Sequence, residues 1–221
     1  MATYTSKSSI RSGFAKKDFA PDGDLKKRVW QRADWKSFDD DWAGKRAYPM
    51  SRTRIASCWT PANIYFGFHC DYTKLNVYQN ADPEREKYGL WERDVVEVFM
   101  NPDPARMNHY YEFEVSPNNL WIDLEINLDR KPFGNARWDS GYTHATHVGR
   151  KVWTCEMRIP IARMMPSGFE IRAGSEWRLN FFRADGQGEG DQRRLLSWSP
   201  TLTAKPNFHV PSRFGLVRFV Q

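Results

Sequence analysis

The feature that most constrains this chain is period-two alternation in short runs, each closed by turn residues. Ile64, Phe66, Phe68 and Cys70 alternate with Tyr65, Gly67 and His69. Leu120, Ile122, Leu124 and Ile126 alternate with Trp121, Asp123 and Glu125, and Trp153, Cys155, Met157 and Ile159 with Thr154, Glu156 and Arg158. Successive side chains of an extended chain point to opposite faces, so each run reads as a strand with one buried face. No helical period persists beyond about two turns. Many short strands separated by turns predict an all-β sandwich of antiparallel sheets. The clearest hairpin joins residues 52–59 to 64–71 through Thr60-Pro61-Ala62-Asn63. Residues 1–20 read as an extended polar arm, and 21–221 as one domain with no internal repeat.

Composition narrows the class of partner. Aromatic residues make up 15% of the 221 residues and include ten Trp, more than a core needs, which predicts rings presented to a ligand. The net charge is +6, but Lys and Arg are interleaved with acids, so no nucleic-acid footprint is expected. No apolar run reaches the length of a membrane span. Residues 1–17 are polar and carry no hydrophobic signal region. Three Cys form neither a zinc pattern nor a disulfide framework. Cys58 and Cys70 could pair in an oxidising compartment, whereas Cys155, on an apolar strand face, reads as a buried, inert thiol. The glycine run at 186–190 lacks dinucleotide-fingerprint spacing and reads as a flexible loop.

One stretch carries chemistry. In residues 90–102, Val96, Val98 and Met100 fall on one side of a strand, and Val95, Glu97 and Phe99 on the other. A mid-strand carboxylate is costly unless it is paired or lines a wet site. Trp91, just before the strand, sits where a loop can hold its ring open. The long loop at 72–90 delivers it. An aromatic plate beside an acid suits a polar, stackable ligand. If the next strands are neighbours, Glu97 shares a face with Glu112, Glu114, Asp123 and Glu125, a set that repels itself unless arginines, a metal or sugar hydroxyls intervene.

Several pieces in order resemble the family-9 carbohydrate-binding modules of the DOMON-like superfamily. They are Asp22-Gly23-Asp24-Leu25 with Trp30, Trp59 with Ile64-Tyr65, Trp91-Glu92-Arg93-Asp94 with Glu97-Val98-Phe99, and Tyr110-Tyr111-Glu112-Phe113. Trp153-Thr154-Cys155-Glu156 with Ile159-Pro160, Trp177 with Asn180 and Arg183, Ser197-Trp198, and Pro211-Ser212-Arg213-Phe214-Gly215 complete the set. The resemblance implies a DOMON-like sandwich, immunoglobulin-like or jelly-roll, that binds a mono-, oligo- or polysaccharide without catalysis and supports polysaccharide breakdown. It implies two rings clamping the sugar, Trp91 and Phe208, the latter where the family pattern has Trp. It implies Glu97, Asn180 and Arg183 as readers of hydroxyls. A family arginine is replaced by Glu114. By strand parity Arg183 falls with Leu179 and Phe181, so either a bulge turns it or it is buried in a salt bridge. No cofactor is required; a structural calcium is allowed, with ligands unassigned. An extracellular or periplasmic location is implied.

Two other classes are kept beside this one. A glycoside hydrolase would use Glu97 with Glu112 or Glu114 as its acid pair. A haem-binding protein, known among DOMON-like relatives, would need axial ligands such as Met100 and His209.

Overall fold

The structure is a computed structural model that describes residues 3–186 and 193–221. Of the expected glycine loop, residues 187–190 lie outside the described residues. Among the described residues thirteen strands follow in chain order: β1 (Ser9–Phe14), β2 (Lys36–Phe38), β3 (Thr53–Trp59), β4 (Asn63–Asp71), β5 (Val95–Asn101), β6 (His109–Val115) and β7 (Trp121–Asn127), then β8 (Gly134–Asn135), β9 (Thr143–Val148), β10 (Val152–Pro160), β11 (Glu176–Gly186), β12 (Arg193–Ser197) and β13 (Gly215–Val220). The α-helix among the described residues, α1 (Arg28–Gln31), is a single turn. No helix there is long and apolar enough to cross a membrane.

The strands join in the order β8-β7-β6-β5-β11-β13-β1-β3-β4-β10-β9, with β12 on β11 and β2 on β3. The pairing is antiparallel except at β1, which runs parallel to both β13 and β3. The residues expected as an extended arm thus contribute an extended strand between the two halves of the sheet. The sheet curls so that its halves face each other. Phe66 and Phe68 of one half meet Phe181 of the other at 5.3 and 5.8 Å between ring centres. Val96, Val98 and Met100 of β5 enter this shared core, with Phe113, Phe181, Phe66, Phe68, Cys155 and Met157.

Each half also carries an apolar cluster on its outer face. Outside β3 and β4, Trp30 packs on Ala56, Cys58 and Tyr65. Buried Glu156 anchors this layer, accepting from the backbone N–H of Asp22 and Gly23 at 2.8 and 2.9 Å and from Trp30 Nε1 at 2.6 Å. Gly23 has a φ of +78° and lies so close to Thr146 that a Cβ would sit 2.9 Å from its carbonyl carbon, so glycine is required there. The outer cluster of the second half contains Leu90, Val95, Phe99, Ile122, Leu124, Ile126 and Phe182. Ile122, Leu124 and Ile126, expected to face the core, therefore face outward beneath a cleft.

The three thiols are free and buried. Cys70 enters the shared core and Cys58 the outer cluster, so the open pairing of these two is answered by strand parity: they lie on opposite faces. Burial raises the Cys155 thiol well above its usual range, which makes it inert.

Gly215 opens β13 beneath the Trp198 ring. A Cβ there would lie 2.7 Å from Trp198 Cη2 and 2.8 Å from the Ser8 carbonyl oxygen. Gly215→Ala is expected to destabilise the domain by about 1–3 kcal/mol, as overpacking does; a urea melt within error of wild type would show that the indole moves aside freely.

Candidate functional site

The cleft is built on the outer face of β5, β6, β7 and β11. Alternation along β5 turns Glu97 and Phe99 to this face. The register then sets their neighbours: Glu97 lies opposite Glu114 and Phe99 opposite Glu112 on β6. On β7, Glu112 faces Leu124 and Glu114 faces Ile122. Asp123 and Glu125 pair with Phe113 and Tyr111, so they fall on the other face. The expected cluster of five acids is therefore a cluster of three.

That triad is buried: Glu97 is 2% exposed, Glu112 4% and Glu114 0%. One carboxylate oxygen from each lies within 4.8 Å of the others, an arrangement that could hold a metal ion. Burial raises the Glu112 carboxyl to about 7. Burial, and then the neighbouring Glu112 charge, hold Glu97 well above the usual range; Arg193 acts against the rise. Glu114 is raised by burial and by the charges of Glu97 and Glu112. No donor reaches the Glu114 oxygens while the acids are ionised, and a hydrogen bond joins Glu114 to Glu112 once one of the two holds a proton.

The walls come from loops. Trp91 sits half-buried in a short turn at Leu90–Glu92, its ring edge-on to Tyr88 at 5.0 Å. Arg193 on β12 donates to the carbonyls of Trp91 and Glu92, which ties this wall to the sheet. Phe208, from the loop before β13, stacks on Phe182 of the floor at 4.1 Å and 13°. His209 takes part in a 2.7 Å hydrogen bond between its Nδ1 and the Tyr110 hydroxyl, and meets Phe133 edge-on at 4.9 Å. Trp91, Phe208, Glu97 and Glu112 all line one cavity of about 670 Å³, a size that suits a small ligand.

The structure brings Trp91, Glu97 and Phe208 together, and leaves Asn180 and Arg183 out of the cavity lining. Asn180 is buried, its amide spent on the chain after β12: Nδ2 donates to the Ser199 carbonyl at 2.8 Å, and Oδ1 accepts from the Ser199 N–H at 3.0 Å. Arg183 lies opposite Val96 and so points into the shared core, as its parity requires. It is fully buried, donating to the Ser51 carbonyl at 2.9 Å and to Asp185 at 3.0 Å. No bulge is needed; the salt bridge is the answer. Met100 is in the shared core while His209 lines the cleft, so the sheet separates the two haem-ligand candidates.

Sequence reading singled out neither Tyr88, Phe133, His209 nor Arg193 as cleft residues. Tyr88 is 66% exposed and Phe133 44%. Aromatic residues in long loops were the available signal, since loops on a rigid scaffold often carry binding residues.

Comparison with known proteins places this geometry. The chain is similar to an "Extracellular protein" from Arthroderma benhamiae, 29% identical over 187 residues, covering 78% of this chain and 80% of that one. Its fold matches that of a candidate carbohydrate-binding protein from Bacteroides uniformis, with a TM-score of 0.76 at 17% identity over 96% of this chain and 98% of that one. It also matches a family 9 carbohydrate-binding module from Caldicellulosiruptor kristjanssonii in complex with cellotriose, with a TM-score of 0.70 at 15% identity over 96% and 94% of the two chains. At these identities the structural likeness shows the fold. The model of the carbohydrate family 9 binding domain-like family matches residues 22–221, and the chain belongs to that family.

Proposed function

We propose that this non-catalytic carbohydrate-binding domain holds a sugar ring between Trp91 and Phe208, with Glu97 and Glu112 reading its polar rim. The observation that carries the reading is that two loop-borne rings and two buried carboxyls line the same cavity. Sugar rings have apolar C–H faces and polar edges, which such a cleft matches on both counts. Each stacked ring contributes about 1 kcal/mol and each charge-assisted hydrogen bond about 1.5–3 kcal/mol. The cellotriose complex of a protein with this fold supports a glucan-sized ligand, and the relative's description supports an extracellular setting, where the module would assist polysaccharide breakdown. Asn180 and Arg183, absent from the cavity lining and hydrogen-bonded to protein partners, are read as supports of the fold rather than contacts of the sugar.

The glycosidase alternative lacks its chemistry. A hydrolase needs one carboxyl kept acidic and another kept basic by different surroundings. Here all three acids share one patch and all three are pushed up, with burial the main cause.

A calcium ion fits only in part. Carboxylates are the hard oxygen ligands calcium prefers, but it takes six to eight oxygens, and the triad is bordered by Phe99, Leu124 and Phe182. Water or ligand hydroxyls would have to complete the shell.

Trp91→Ala is expected to abolish measurable binding of cello-oligosaccharides by calorimetry. Because the ring is half-buried in a loop, the substitution should cost less than the ~3–5 kcal/mol of a core Trp deletion. Phe208→Ala should weaken binding and Phe208→Trp preserve it. If Trp91→Ala unfolds the domain, or binds as wild type does, the clamp is wrong.

A further inference from the structure

We propose a second sugar site, on the outer face of the other half of the sheet, that binds a carboxylate-bearing sugar. Arg54 holds the carboxylate of this uronate and the Trp35 ring stacks on its C–H face. The site shares no residue with the cleft and does not depend on the reading of the cleft.

Strand register lines up its floor. Arg54 of β3 lies opposite His69 of β4, His69 opposite Thr154 of β10, and Thr154 opposite His147 of β9. Neighbouring strands are about 4.8 Å apart, so this row runs about 14 Å across the outer face. A cavity of about 610 Å³ opens over the row, with Leu25, Trp30 and Trp35 in its walls. That volume suits a small ligand, and the row is long enough for a short oligosaccharide rather than a lone ion.

The plate and the cation are both held ready. Trp35 is half-buried, and its Nε1 donates to the Trp30 carbonyl at 2.8 Å. Its ring is therefore fixed before a ligand arrives, which reduces the entropy lost on binding. The exposed Arg54 guanidinium lies 6.0 Å from the centre of that ring. The neighbouring cations are taken: Arg52 pairs with Asp39 and Lys36 with Asp34. Among the described residues Arg54 makes no hydrogen bond or ion pair. A guanidinium is a planar fork that matches a carboxylate with two parallel hydrogen bonds.

The acids of the lining stand at the far end of the row. The Gly23 carbonyl accepts from Thr154 Oγ1 at 2.6 Å, which holds the 22–24 turn over β10. There Asp22 is paired with Lys27, and Asp24 shares the rim with Lys26. Asp71 lies 3.8 Å from His69 Nδ1 and forms no ion pair with Arg54. Burial, and then the Arg54 charge, lower the His69 imidazole below its usual range, with Asp71 acting against them. A neutral imidazole offers one donor and one acceptor, which suits hydroxyls. A carboxylate is thus favoured at the Arg54 end and hydroxyls along the rest of the row. The net charge of +6 draws an acidic polymer to the chain. The buried acids of the cleft disfavour another carboxylate, so the two sites take different sugars.

The test is calorimetry at pH 7 on the full chain with trigalacturonate, cellotriose and acetate. Trigalacturonate is expected to bind wild type and Trp91→Ala alike. Arg54→Ala should weaken it about tenfold or more and leave cellotriose binding unchanged. Arg54→Lys, which keeps the charge and loses the fork, should recover only part of the loss. Arg54 is exposed, so these variants are expected to melt with wild type. No binding of trigalacturonate by wild type, or equal binding by Arg54→Ala, overturns the proposal and leaves the cleft reading standing. Loss of trigalacturonate binding in Trp91→Ala would put the uronate in the cleft and also overturns it. Acetate binding as tightly as the trimer would make this a simple anion site and overturns the sugar assignment. Failure of wild type to bind cellotriose counts against the cleft alone.

Discussion

Asp185→Ala is expected to destabilise the domain by about 3–5 kcal/mol, the range for breaking a buried ion pair by removing one partner. Asp185 is 0% exposed, and Arg183 is too. Asp185 accepts from Arg183 Nη2 at 3.0 Å, from Arg194 Nε at 2.7 Å and from the Ser51 hydroxyl. Arg183 Nη1 is satisfied by the Ser51 carbonyl and Thr53 Oγ1, but its Nε has no partner. Without Asp185, a full guanidinium charge remains between the two halves of the sheet with only neutral acceptors. Arg194 is 20% exposed, so Arg194→Ala should cost less, because its charge can be solvated. Replacing Arg183 and Asp185 together with Met and Leu should recover much of the loss. The measurement is urea unfolding of the four proteins. A single-variant loss below about 1 kcal/mol would mean that water reaches the pair, and Arg183 would then return as a candidate for contact with ligand.

Glu112→Gln is expected to stabilise the protein at pH 8 by about 1–3 kcal/mol, since each unit of raised pKa corresponds to about 1.4 kcal/mol. In the unfolded chain a glutamate titrates near ~4.3, whereas Glu112 in the fold titrates at about 7. Between those values the native state holds the extra proton, so stability is fully present below the lower one and is lost as pH rises through the upper. Glu97 and Glu114, raised further, extend the loss to higher pH. Burial lowers His144 and His209 to about 4. They act in the opposite sense below about pH 6.5, where the unfolded imidazoles take up protons. Stability in chelator should therefore rise as pH falls from 8, and rise less steeply below about 6.5, where the two histidines oppose the three acids. The Gln amide still needs hydrogen-bond partners in a buried site, which offsets part of the gain. Equal urea midpoints for wild type and Glu112→Gln at pH 8 would show that the triad is already compensated. A stabilising loss of an acid would place the triad among sites whose cost to the fold is retained for binding.

How much of this is legible in the sequence follows from what alternation can carry. Period-two runs determined which residues are strands and which side of its own strand each side chain takes. They placed Glu97 opposite Val96 and Val98, and they put Arg183 with Leu179 and Phe181, against its role as a reader of sugar hydroxyls. The 60–63 turn and the loop position of Trp91 were equally readable, because proline and turn residues act locally.

Tertiary structure alone decided register, neighbours and which face looks where. Both faces of β7 are rich in large or charged residues, so its sequence could not say that Leu124 lies under a cleft while Asp123 turns away. A shift of one residue in the β6–β7 register would exchange the two faces and bring Asp123 and Glu125 beside the triad, which is itself set by the β5–β6 register. The parallel insertion of β1 between β13 and β3, and the gathering of Tyr88, Phe133, Arg193 and His209 around one cavity, depend on contacts among residues far apart in the chain. Local patterning specifies each strand; only the closing of the sheet on its shared core specifies which strands meet and which loops come to stand over them.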